Sequence, residues 1–137
     1  MFDTSRYIGL PYRVEGRGPT HYDCWGLVRL VYEDHFGIVL PIHTGYTETM
    51  TPHTAEMIDA GRQGWSVVED ILPLDVVLFN VEGEPNHIGI VISSDLMLHT
   101  TNKTDACIEN FRRPVWSRRL ESFYRYDYPV RPSTSAT

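Results

Sequence analysis

The stretch Asp23-Cys24-Trp25-Gly26-Leu27-Val28 constrains this chain most, because it reads as the first turn of an amphipathic helix headed by a thiol. Asp23 suits the N-cap, since its carboxylate can accept a backbone N–H that the first turn leaves without a partner. Cys24, Leu27, Val28 and Val31 recur at helical spacing, and Gly37 supplies a stop just past His35 or Phe36. A thiol at that end feels the positive pole of the helix dipole, which favours thiolate. Cys24 is therefore a candidate nucleophile on physical grounds. The competing fate is the commoner one for a lone cysteine, that of a small buried hydrophobe.

Composition removes several function classes. At 137 residues, the length suits one domain with a single core. A net charge of −6 argues against nucleic-acid binding, which calls for a basic face. Cys24 and Cys107 are too few for a disulfide scaffold. No apolar run approaches the roughly 18 residues that would insert into a membrane. The opening Met1-Phe2-Asp3-Thr4-Ser5-Arg6 lacks the basic-then-apolar build of a signal peptide. The expectation is a chain made in a cytoplasm.

The order of elements points to an α+β domain over 1–129, followed by a Pro/Ser/Thr-rich tail over 130–137 that is expected to be disordered. A short helix is expected over 2–10, closed by Gly9 and Pro11. The Cys24 helix follows, and a further helix is expected from Thr51-Pro52 to Ala60. Strands are expected over 65–69, 76–80, 87–92, 96–99, 107–111 and 122–126, paired as an antiparallel meander. Turn residues separate them, including Gly83-Glu84-Pro85-Asn86 and the stretch from Thr101 to Asp105. Trp65, Trp116, Phe123, Tyr124 and Tyr126 read as core or its edge, Cys107 as a small buried residue, and the arginines at 112, 113, 118 and 119 as solvated pairs.

The strand His87-Ile88-Gly89-Ile90-Val91-Ile92 sets His87 and Gly89 on one face and three isoleucines on the other. Gly89 is expected to leave His87 open to an approaching group. If Ser93-Ser94-Asp95 is a three-residue loop, Gly89 pairs with His99. His99 then stands diagonal to His87 on the same face, at about 7–8 Å between Cα atoms. A two-residue loop would reverse the parity and separate them. A thiol, an imidazole and a polar group orienting the imidazole make a Cys-His-X set. Thiolate is the attacking species, and the imidazole must later protonate the leaving amine. No metal site is expected. His21, Asp23 and Cys24 lack the paired spacing of a zinc site, and no cofactor is implied.

The runs Tyr7-Ile8-Gly9-Leu10-Pro11-Tyr12, Asp23-Cys24-Trp25-Gly26-Leu27-Val28, Leu72-Pro73-Leu74-Asp75-Val76-Val77-Leu78-Phe79, Asn86-His87-Ile88-Gly89-Ile90-Val91-Ile92 and Leu98-His99 resemble the NlpC-type cell-wall peptidase family. The resemblance implies a papain-like fold, with the nucleophile helix packed on an antiparallel sheet. It implies cleavage of peptidoglycan stem peptides, commonly at the γ-D-glutamyl-diaminopimelate bond. On the matching positions Cys24 is the nucleophile, His87 the general base and acid, and His99 the orienting residue. Tyr12 stands beside the nucleophile, where its phenol and the Cys24 N–H would hold the oxyanion, and Asp23 has a supporting role. Leu74 stands where the family usually has glycine, and Glu15-Gly16-Arg17 replaces a usual glycine-rich loop.

Trp25 in place of a common serine, Asn86 before His87, and the Trp116 to Tyr126 segment look like the tailed-bacteriophage branch. That implies tail-tip protein partners and a place in the virion after assembly in the host cytoplasm. Two other readings share these residues. One is a structural tail-tip subunit with an unused or occluded site, and the other is a secreted-effector cell-wall amidase.

Overall fold

The computed structural model describes residues 3–13, 16, 18–40, 65–81, 84–101 and 103–127. Helix α1 spans Cys24–Phe36, as the periodicity predicts. Asp23 caps it in an extended conformation, and its Oδ1 accepts the Gly26 N–H at 2.6 Å. Gly37 ends it at φ 67°, in the left-handed region, and donates its N–H to the Glu33 carbonyl at 3.0 Å. A 13-residue helix is marginal alone, so its stability comes from the face it buries: Cys24, Leu27, Val28, Val31 and Tyr32.

Among the described residues six antiparallel strands form one sheet: β1 (Trp65–Val68), β2 (Val76–Val81), β3 (Glu84–Val91), β4 (Leu96–Thr101), β5 (Thr104–Asn110) and β6 (Leu120–Tyr126). Their order is β1-β6-β2-β3-β4-β5. Strands β2 to β5 are the expected meander. The sixth strand departs from it by returning to lie between β1 and β2, with Trp65 opposite Tyr126 and Val76 opposite Tyr124. A four-residue helical turn, α2 (Pro114–Ser117), precedes β6 and was not expected. Glu84, Pro85 and Asn86 belong to β3 rather than to a separating loop, and Thr104 and Asp105 belong to β5.

The two faces of the sheet have separate cores. Val76, Leu78, Ile88, Ile90, Ile92 and Leu98 pack with α1. Val77, Phe79, Val91, Met97, Phe111 and Trp116 pack on the other side. Each such side chain contributes about 1.5–3 kcal/mol by leaving water. Trp65, Tyr126 and Tyr32 form an aromatic corner with ring centroids 5.0 to 6.3 Å apart. Tyr124 is buried and Phe123 half-buried. The four arginines are exposed, as expected, although Arg112 also stacks over Phe111 at 4.7 Å.

The expected helix over 2–10 is a single turn in its described part. Tyr7 and Ile8 both donate to the Thr4 carbonyl, and Gly9 then turns at φ 89°. From there Gly9 and Leu10 bond to Ala106, tying the segment to β5. The expected helix over 51–60 and the tail over 130–137 lie outside the described residues. Among the described residues no helix is long and apolar enough to cross a membrane.

Candidate active site

The loop at 93–95 has the three-residue form that brings the histidines together. Ile90 pairs with Leu98, Val91 with Met97, and Ile92 N–H donates to Leu96. The same register sets Gly89 opposite His99. His87 Nε2 lies 2.9 Å from His99 Nδ1, and both rings are buried. The space over Gly89 is not open to a substrate, contrary to the sequence expectation. A Cβ there would meet Met97 Sδ at 2.9 Å and His99 Cβ at 3.5 Å, so the absent side chain is what lets His99 and Met97 close in.

The hydrogen-bond chain continues past His99. His99 Nε2 lies 2.6 Å from Glu109 Oε2, and the Trp116 indole N–H donates to Glu109 Oε1 at 3.1 Å. The Trp116 ring stacks on His87 at 5.2 Å and meets His99 edge-on at 5.1 Å. Sequence reasoning assigned Glu109 no role and gave Trp116 none at the catalytic set, placing it in the core or its edge. The available signal was parity: Cys107 pairs with His99, and Glu109 lies two residues along the same face of β5. Cys107 is half-buried beside this chain, not the buried filler expected.

Burial holds the His87 imidazole well below its ordinary pKa, with His99 and Arg119 adding to the effect. Burial also lowers His99, against the opposing hydrogen bond from Glu109. Both rings are therefore neutral near pH 7. An ionised carboxylate only accepts, so His99 carries its proton on Nε2 and presents a lone pair at Nδ1. His87 must then donate from Nε2, which leaves its own lone pair on Nδ1. That nitrogen is the base the chain prepares.

Cys24 is placed separately, at the N-terminal end of α1 and almost fully buried. The helix lies across β3 and β4, the strands that carry His87 and His99. Cys24 belongs to the isoleucine-face cluster, whereas the imidazoles pack among Phe79 and Trp116. The β3–β4 pairing runs from Ile92–Leu96 to Ile90–Leu98. Tyr12 bridges Tyr22, two residues before Cys24, and its hydroxyl is buried. Asp23 is fully buried, with its carboxylate on the Gly26 N–H.

His99, Cys107 and Glu109 offer three donor atoms within 4.8 Å of one another, the only group of that kind among the described residues. Both His99 nitrogens are already engaged, by His87 and Glu109. His21, Asp23 and Cys24 form no such group.

The match to the NlpC/P60 family covers residues 9–125. The chain belongs to the NlpC/P60 family. This NlpC/P60 domain is 28% identical over 126 residues to the murein DD-endopeptidase MepS/murein LD-carboxypeptidase of Escherichia coli (strain K12), covering 91% of this chain and 60% of that protein. It is 26% identical to the gamma-DL-glutamyl hydrolase of Bacillus subtilis (strain 168), covering 91% of this chain and 28% of that one. The chain thus spans under two thirds of the length of these relatives. Among solved structures, an NLP/P60-family lipoprotein-like protein of Staphylococcus aureus matches with TM-score 0.68 at 19% identity, over 90% of this chain and 39% of that one. The NlpC/p60 domain of the peptidoglycan hydrolase SagA matches with TM-score 0.60 at 20% identity, over 88% and 90%. The fold of this NlpC/P60 domain is the papain-like α+β arrangement those structures share.

Proposed function

We propose that this domain is a cysteine peptidase that hydrolyses an amide bond in the stem peptide of peptidoglycan. The observation that carries the reading is the buried His87–His99 pair, which prepares a neutral imidazole with its Nδ1 lone pair available. The thiol at the head of α1 lies at the positive pole of the helix that crosses the same two strands. In this reading the Cys24 thiol and the His87 imidazole meet in the substrate complex, since catalytic hydrogen bonds are often long before substrate arrives.

In this mechanism the Cys24 proton passes to His87 Nδ1. The thiolate attacks the scissile carbonyl carbon and forms a C–S bond. The Tyr12 phenol and the Cys24 N–H hold the resulting oxyanion. The C–N bond then breaks as His87 returns its proton to the leaving amine. His87 next takes a proton from water, the hydroxide adds to the thioester, and the C–S bond breaks to release a carboxylate and the thiol. His99 orients His87 throughout, and Asp23 supports Cys24 by capping the helix.

The finer assignment is cleavage between γ-D-glutamate and diaminopimelate. The names of two relatives specify different bonds, a DD-endopeptidase or LD-carboxypeptidase in one and a γ-DL-glutamyl hydrolase in the other. Mass spectrometry of muropeptides after incubation separates these outcomes. Loss of all products in Cys24→Ala is expected. Undiminished products in that variant would overturn the mechanism.

A tail-tip placement in a bacteriophage particle, with tail-tip proteins as partners, is the cellular setting we propose. What supports it is the set of residues at Trp25, Asn86 and Trp116 to Tyr126. Mass-spectrometric detection of the chain in purified particles tests it, and its absence from every particle fraction would remove it. Cys24 alkylation by a small reagent in such particles would separate a working enzyme from an occluded structural subunit.

A further inference from the structure

We propose that Glu109 is a positioning residue that sets the tautomers of both imidazoles, and that the Trp116 indole N–H fixes which carboxyl oxygen faces His99. The inference rests on the reading of His87 as the base, although its central claim concerns proton positions alone.

The argument follows from the donor and acceptor inventory of the chain. Trp116 Nε1 can only donate, so the atom it meets on residue 109 must accept. His99 Nε2 meets the other carboxyl oxygen at 2.6 Å. A carboxylate accepts at both positions, so one proton arrangement runs through the whole chain, from His99 Nε2–H to His87 Nε2–H. The Glu109 side chain is about one third exposed, whereas that of His99 is fully buried. The Glu109 side chain therefore reaches the rim while its two oxygens meet groups inside.

Glu109→Gln tests this sharply because the two ends of an amide differ. The indole N–H claims the amide oxygen, which turns the NH₂ toward His99 Nε2. That donor demands a lone pair at Nε2. His99 then protonates at Nδ1 and donates to His87 Nε2, and the His87 proton moves to Nδ1. The Nδ1 lone pair of His87 is lost with no change of side-chain volume.

The decisive experiment records side-chain ¹⁵N spectra of the histidines in Cys24→Ala and in Cys24→Ala carrying Glu109→Gln. Expected are Nε2 protons on both rings in the first chain and Nδ1 protons on both in the second. Adding Trp116→Phe frees the amide to rotate and should return the Nε2 pattern. Glu109→Asp keeps an acceptor-only group and should also retain it. With Cys24 intact, Glu109→Gln should lower kcat/KM on stem peptides by on the order of 10²-fold or more, mostly in kcat, with Glu109→Asp recovering part of the loss. Unchanged proton positions in Glu109→Gln would overturn the proposal. If the wild-type chain cleaves no stem peptide while the tautomers shift as stated, the peptidase reading fails and the role of Glu109 stands.

Discussion

Asp75 is buried without solvent exposure, and Arg125 of β6 grips it with two parallel hydrogen bonds, Nε to Oδ1 at 2.9 Å and Nη2 to Oδ2 at 2.8 Å. The Leu72 N–H adds a third at 2.7 Å. The pair pins the turn that enters β2 to the strand that returns beside it. The two partners differ in exposure, since the Arg125 side chain keeps about a quarter of its surface in water. Removing the cation should therefore be worse than neutralising the anion. Arg125→Met is expected to lower stability by about 3 kcal/mol, because a buried carboxylate loses its counter-charge. Asp75→Asn should lower it by less, since Arg125 can turn to water. Urea denaturation of both variants checks this, and the reverse order would refute the burial argument.

The histidine pair makes stability depend on pH with a definite sign. Both imidazoles titrate below their ordinary value in the folded chain, chiefly through burial. Between that lowered range and about pH 6.5 the unfolded chain binds protons that the folded chain refuses. Stability should thus fall as pH drops from 7.5 to 5.5, by up to about 1.4 kcal/mol per pH unit for each ring, and be flatter above pH 7.5. Denaturant midpoints across that range provide the measurement. A chain that became more stable on acidification would contradict the neutral-pair assignment.

Leu74 occupies a backbone conformation that suits glycine, with φ at 79°. It is also half-buried against the α1-face core, and its carbonyl accepts the Tyr32 hydroxyl. Leu74→Gly relieves about 1 kcal/mol of strain and forfeits packing of similar size. The net change in stability should be within about 1 kcal/mol of zero. A loss above about 2 kcal/mol would show that the backbone is not strained there.

Gly26 sits two residues past the thiol, where its Cα faces the Gly16 carbonyl. A Cβ on Gly26 would clash with that oxygen, and backbone cannot move aside cheaply. Gly26→Ala gains about 1 kcal/mol of helix propensity elsewhere but should destabilise here by on the order of 2 kcal/mol. Because the Gly16 carbonyl also accepts the Asp23 N–H, displacement of that segment should slow Cys24 alkylation or peptide turnover as well. Equal or higher thermal stability in Gly26→Ala would show that the close approach is absent in solution.

Two local readings carry the site. The Cys24 helix, its cap and its stop follow from residues within one window, and the structure keeps those bounds. The His87–His99 contact follows from parity once the loop at 93–95 has three residues. The return of β6 between β1 and β2 follows from no local pattern, because strand order depends on which edges are left open after the meander forms. The single turn at 5–9 shows the same limit, since helical propensity there yields to bonds with β5.

By itself, then, the sequence determined the helix headed by a thiol, the alternation that sets two imidazoles on one face, and the α+β class. Tertiary structure alone decided what stands behind those imidazoles. Glu109 comes from an edge strand and Trp116 from a four-residue turn beyond it, and no periodicity links either to His87. The physical reason is range. Periodicity records which way a side chain points along its own strand or helix, whereas a hydrogen-bond chain needs groups from four separate segments to close on one point, and only the folded sheet brings them there.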